Sequence, residues 1–301
     1  MDKSTFSYSD VVLQALSEKQ PIVALESTVI THGLPYPVNF KAAMDMQAEV
    51  RRFGAVPATV AVIDGRIWVG LDDIQLESLA AILDARKVSL RDLAPTLVQQ
   101  KTGGTTVAAT MAIANAAGIQ VFATGGIGGV HRGSTFDIST DLMALGSIPI
   151  IVVCAGAKAI LDLVATVEVL ETLAVPVLGY QTDEFPAFYS RSSGLPVSIR
   201  VDTVQDAVAI AQRHWELGFA SAVLVAQPPP EAAAMPREVI EEFIEAALQE
   251  ATHQDIHGQA VTPFLLKRVS EMSGGSTMEA NLELLINNAR LGAVLAVELA
   301  K

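Results

Sequence analysis

A single cysteine, Cys154, stands among the 301 residues, so no internal disulfide can form and the chain fits a reducing cytoplasm. Aromatic side chains make up only 5% of the residues and charged ones 18%. Positive charge is the scarcer kind: 20 Lys and Arg stand against 33 Asp and Glu, a formal net charge of −13. A surface of that sign repels nucleic-acid backbones and anionic bilayers, so neither is expected as a partner. An anionic small molecule is compatible with it only where Lys, Arg and backbone N–H groups are gathered in one pocket. Long hydrophobic runs are missing too, because Gly, Pro or charge interrupts each one before the roughly 20 residues of a membrane helix. The opening M-D-K-S-T-F-S-Y-S-D-V-V has no apolar core behind positive charge, so no export signal is expected. Neither the G-x-G-x-x-G dinucleotide pattern nor the G-K-[ST] ending of a Walker loop occurs in the glycine-rich stretches considered below.

Half of the residues are hydrophobic, which suits many buried parallel strands and leaves an excess for subunit interface. Short β-branched runs alternate with helical periodicity along the chain, so one α/β domain is expected over residues 1–301. P-I-V-A-L-E-S-T-V-I (21–30) reads as the first strand, and 58–70 as a hairpin turned at Asp64-Gly65. Residues 119–123 and 150–154 read as strands buried on both faces, and short strands are expected at 175–180 and 221–227. The spacing predicts helices over 39–53, 76–86, 108–117, 164–173, 204–217, 237–253 and 261–272.

Six stretches carry chemistry-bearing residues. In S-I-P-I-I-V-V-C-A-G-A-K-A-I-L-D-L, Lys158 follows a buried strand and a glycine turn, where a helix is expected to begin. Desolvation and a helix N-terminus both disfavour its charged form, which would free the amine as a nucleophile; a solvent-facing or phosphate-binding lysine is the alternative. Glu26 lies inside the apolar first strand and must meet a cation or hydrogen-bond donors, either as a structural pair or as a general acid or base. Lys101-Thr102-Gly103-Gly104-Thr105-Thr106-Val107 and the 124–133 stretch T-G-G-I-G-G-V-H-R-G are loops suited to wrap an anion or to turn tightly. Asp137 and Asp141 are four apart, on one face if helical, and could hold a hard divalent cation or serve in capping beside Ser139. Lys87 is expected as a cation at the C-terminal end of the 76–86 helix.

Seven ordered motifs carry a resemblance across nearly the whole chain from about residue 20: A-L-E-S-T-V-I-T-H-G, K-T-G-G-T-T-V, A-T-G-G-I-G-G-V-H-R-G, F-D-I-S-x-D-L, C-A-G-A-K, G-Y-x-T-D-E-F-P-A-F-Y and T-M-E-A-N. Together they resemble the pseudouridine-5′-phosphate glycosidase family, also called indigoidine synthase A-like. The resemblance implies a three-layer α/β/α sandwich around a mixed, largely parallel central sheet, assembled as a homotrimer. It implies hydrolysis of the C–C glycosidic bond of pseudouridine 5′-phosphate to uracil and ribose 5-phosphate, assisted by Mn²⁺. Lys158 falls on the amine that bonds C1′ of the opened sugar, Glu26 on the proton donor, and Asp137 on the metal position. Ser139, Thr140 and Asp141 fall on a substrate-binding triplet, and Lys87 and Val107 on substrate contacts. Thr106, Thr124, His131 and Asn281 are further pocket residues on the same basis. Two departures stand out: Thr140 replaces the family's usual Ala in the triplet, and the link between His131 and Asp137 is two residues shorter. The competing readings are a phosphosugar aldolase, or a sugar-phosphate binding protein, using the same imine lysine on the same fold, and a non-enzymatic scaffold whose glycine loops only pack.

Overall fold

A computed structural model describes residues 5–133, 136–256 and 261–301. Ser134 and Thr135, where the shortened link falls, lie outside the described residues. The strands are β1 (Phe6–Tyr8), β2 (Ile22–Leu25), β3 (Val56–Ile63), β4 (Arg66–Val69), β5 (Arg86–Val88), β6 (Gly103–Thr105), β7 (Val121–Ala123), β8 (Val130–His131), β9 (Ile151–Cys154), β10 (Leu161–Asp162), β11 (Val177–Tyr180), β12 (Ile199–Val201) and β13 (Val223–Ala226). The helices are α1 (Asp10–Ser17), α2 (Val38–Arg52), α3 (Asp73–Ala81), α4 (Leu93–Val98), α5 (Val107–Ala117), α6 (Thr140–Leu145), α7 (Leu163–Thr172), α8 (Val204–Glu216), α9 (Arg237–His253), α10 (Val261–Met272) and α11 (Ser276–Leu299).

Eleven strands form one mixed, largely parallel sheet in the order β1-β4-β3-β2-β7-β9-β13-β11-β12, with β6 also paired to β3 and β5 to β6. Within that sheet, among the described residues, only the β3–β4 and β3–β6 pairs are antiparallel. The fully buried runs I-V-A-L of β2, I-V-V-C of β9 and V-L-V-A of β13 fit a sheet covered on both faces. Helix α11 crosses β2, β7 and β9 and is flanked by α2 and α8. Gly292 permits that close approach, since a Cβ there would lie 3.1 Å from the Ala123 Cβ. Leu284 and Leu295 on the same helix are fully buried, each contributing about 1.5–3 kcal/mol of transfer energy. Asp64 and Gly65 both have positive φ, 48° and 73°, as the predicted hairpin turn requires.

Five local expectations change. The first expected strand stops at Leu25 and gives way to a π-helical turn, Val29–Gly33. Its exit is fixed by the Ser27 hydroxyl, which donates to the Val60 carbonyl and accepts from the Thr105 amide. Lys87 is not a helix-end cation: α3 ends at Ala81, and Lys87 lies in β5, opposite Gly104 of β6. The paired glycines at 103 and 104 are therefore strand rather than loop, because a Cβ on Gly104 would sit 2.7 Å from the Ser27 carbonyl. The residues after Lys158 do not start a helix; β10 pairs with β8, and α7 begins at Leu163, where the Asp162 side chain caps it by accepting from the Ala165 amide. Asp137 and Asp141 do not share a helical face, since α6 begins at Thr140 under the Ser139 cap.

Candidate active site

Within the large sheet the chain continues from β2 to β3 on one side and from β7 to β9 on the other, which opens a crevice at the carboxyl ends of β2 and β7. Glu26 follows β2, Thr124 follows β7, and the Ala155–Lys158 turn follows the neighbouring β9. These exits bring the residues named in the sequence together. A cavity of about 330 Å³ is bordered by Glu26, Lys87, Thr106, Val107, His131, Asp137, Ser139, Thr140, Asp141 and Lys158. A smaller hollow of about 60 Å³ adjoins it, lined by Val29, His32, Phe188, Leu266, Asn281 and Leu285. Glu26, Thr28, Lys87, Lys158 and Thr262 border both. The amine and the carboxylate thus stand where a polar chamber meets an apolar one. A larger depression of about 550 Å³ beside α7, lined by Val164, Val167, Val177 and Leu195 among others, offers no lysine, arginine or histidine.

Glu26 is buried, and its two carboxylate oxygens accept from the Thr28 and Thr124 hydroxyls. Thr124 is fully buried, so the structure places it behind Glu26. Asp141 is buried as well, one oxygen accepting from the Ala108 amide at 2.9 Å and the other from Gly128 at 2.8 Å. Gly128 has to lack a side chain, because a Cβ would lie 2.2 Å from the Ser139 Oγ. Asp141 therefore ties the start of α5 to the 124–133 loop. The Thr106 hydroxyl caps α5, whose positive end faces the same chamber. Asp137 Oδ2 lies 3.9 Å from His131 Nδ1.

The site's charges act on one another. Burial pushes the Lys87 ammonium below its ordinary value; the Lys158 charge pushes the same way, while Asp141 and Glu26 oppose it. The His131 imidazole is lowered by burial, raised by Asp137, and lowered again by Lys87 and Lys158. His32 is lowered by burial and by Lys87, against a backbone hydrogen bond at Ala85. In a chain of net charge −13, the chamber gathers Lys87, Arg91, His131 and Lys158 beside Glu26, Asp137 and Asp141, so an anion bound there has cationic groups at hand.

The profile of the family described as indigoidine synthase A like protein matches residues 11–298. The chain belongs to that family. A pseudouridine-5′-phosphate glycosidase of Paracoccus denitrificans is 53% identical over 291 residues, covering 95% of this chain and 96% of its own. One of Caldanaerobacter subterraneus subsp. tengcongensis is 50% identical over 295 residues, covering 97% and 96%. Among solved structures, the prealnumycin C-glycosynthase AlnA in complex with ribulose 5-phosphate superposes with a TM-score of 0.90 at 40% identity, covering 98% of this chain and 97% of that one. The indigoidine synthase A-like protein of Thermotoga maritima gives 0.91 at 35% identity, with the same coverage. The family read from the seven motifs is the family found.

Several contributors to this family member's site were not singled out from the sequence. Thr28 and His32 sit inside the quoted A-L-E-S-T-V-I-T-H-G motif, so position within a motif was their only signal. Asn288, seven residues after Asn281 on the buried face of α11, donates to the Thr124 carbonyl at 2.9 Å. Ser89, Arg91 and Thr262 border the polar chamber from connectors and from α10.

His32 gives a stability prediction. Its folded-state pKa is below the 6.5 of an unperturbed imidazole, so protonation favours the unfolded chain. Its contribution is intact above about 6.5 and is lost as pH falls toward the folded value. The apparent Tm of the wild type is expected to drop between pH 7.5 and 5.5, and that of His32→Gln to drop less; equal pH slopes in the two proteins would contradict it.

Proposed function

We propose that the protein is a pseudouridine-5′-phosphate glycosidase that cleaves the C1′–C5 bond to give uracil and ribose 5-phosphate, and runs in either direction. The observation that carries this reading is the placement of Lys158 and Glu26 at the junction of a polar and an apolar chamber. A phosphosugar suits the first and a pyrimidine the second, which leaves the bond between them beside the two reacting groups. The names of the relatives, and the bound ribulose 5-phosphate in one of them, support the same substrate class.

A C-glycoside has no heteroatom leaving group, so protonating an exocyclic oxygen or nitrogen cannot expel the base. An imine removes the difficulty. Glu26 delivers a proton to O4′ as the C1′–O4′ bond breaks, and the neutral Lys158 amine attacks C1′. The Glu26 carboxylate takes a proton from the resulting ammonium and passes it to uracil C5, and the freed nitrogen lone pair forms the C1′ iminium while the C1′–C5 electron pair leaves with uracil. Water adds to the iminium, releasing ribose 5-phosphate and the lysine. Lys87, His131 and the start of α5 hold the phosphate.

Mn²⁺ is the proposed cofactor, with Asp137 as its protein ligand. Among the described residues no group of three or more His, Cys, Asp and Glu is arranged to hold a metal, and both Asp141 oxygens accept from backbone amides. That donor set fits a hard, largely hydrated ion held through one carboxylate and the substrate, and not a closed protein cage. When bound, the ion would supply positive charge to the phosphosugar.

The test is uracil release from pseudouridine 5′-phosphate, followed by chromatography with and without added Mn²⁺. Equimolar uracil and ribose 5-phosphate, faster with the metal, are expected. No uracil, in a protein that still gives a borohydride-trapped adduct with ribose 5-phosphate, would replace this reading by an aldolase or binding protein on the same lysine.

A further inference from the structure

We propose that Arg132 is a positioning residue that holds the Lys158 turn in its reactive conformation, an inference that rests on Lys158 being the nucleophile. The backbone on the amino side of that turn is fixed by the Lys158 amide, which donates to the Ile127 carbonyl at 3.0 Å. On the other side the guanidinium takes over. Arg132 Nη2 donates to the Ala159 carbonyl at 2.9 Å, and Nε to the Leu161 carbonyl at 3.1 Å. Both anchors come from the same 124–133 loop, which also carries His131, so one segment grips the turn before and after the reacting side chain.

Ala159, Ile160 and Leu161 are all buried. Their carbonyls have little water to turn to, and losing the guanidinium would orphan two acceptors next to Lys158. The guanidinium is itself aimed by Glu241 of α9: Nη1 donates to Oε2 at 2.6 Å and Nη2 to Oε1 at 3.0 Å, a bidentate pair. Arg132 does not border either chamber, and most of its donors are committed to these contacts, so it is not a phosphate ligand. A lysine in its place is a point charge that cannot span two carbonyls and a carboxylate in one plane.

The experiment compares wild type, Arg132→Lys, Arg132→Ala and Glu241→Gln, reading steady-state kinetics on pseudouridine 5′-phosphate, the rate of borohydride trapping with ribose 5-phosphate, and thermal unfolding. In Arg132→Lys, kcat and the trapping rate are expected to fall together by roughly ten- to a hundredfold with KM nearly unchanged. Guanidinium at millimolar concentration is expected to restore part of the loss in Arg132→Ala, and Glu241→Gln to show a smaller loss of the same kind. Trapping by Arg132→Lys at the wild-type rate would overturn the proposal, as would a rise in KM alone, or losses in Arg132→Lys and Glu241→Gln that track unfolding and are not rescued. Absence of any Lys158 adduct in the wild type would instead remove the imine reading, and this inference with it.

Discussion

Lys158→Ala is expected to abolish uracil release, by on the order of 10⁴-fold or more, in a protein that still folds. The fold should survive because the turn is held by main-chain bonds, Lys158 N to Ile127 O and Leu161 N to Lys158 O, both 3.0 Å, which an alanine keeps. The rate should not survive. Lys87 lies in β5 and borders both hollows, and His131 lies in β8 and borders the polar chamber; neither is carried on the Lys158 turn, so neither replaces its amine. Mass spectrometry after borohydride treatment with ribose 5-phosphate should find the adduct on Lys158 in the wild type and nowhere in the variant. Uracil release by Lys158→Ala within tenfold of the wild type would end the covalent mechanism.

Glu26→Gln should be the second most damaging change, lowering kcat by about 10²–10⁴-fold with substrate still bound. The amide keeps the shape and one acceptor for the Thr28 and Thr124 hydroxyls that now donate to the carboxylate, but it has no proton to give to O4′. A second readout follows from the charge of the carboxylate, whatever its part in the chemistry. Glu26 is one of two carboxylates that favour the charged form of Lys87. Without it the Lys87 ammonium gives up its proton at lower pH, so the rise of KM on the alkaline side should begin earlier in the variant than in the wild type. An unchanged kcat would remove Glu26 from the chemistry.

The strand-and-helix alternation was legible because buried parallel strands such as β9 and β13 are short, β-branched and bounded by turns. The gathering of residues from distant segments at the two hollows was legible through ordered motifs. What was not legible depended on long-range contacts. Nothing local announces that Gly103 and Gly104 pair as a strand with Arg86 and Lys87, a register set by the close pass of the Ser27 turn. The Lys158 turn has helix-forming neighbours, yet Asp162 caps a helix that starts five residues after the lysine. Asp141 resembled a metal ligand by spacing from Asp137, but its oxygens were already claimed by amides 33 and 13 residues away.

Because the two hollows are separate rooms with a shared doorway, each can be furnished on its own. A phosphorylated pentose and a free pyrimidine could reside side by side without a bond between them, meeting only across the doorway. Molecules imitating either half should then compete with the nucleotide individually, and a pair joined end to end through the doorway should grip more tightly than both together unlinked.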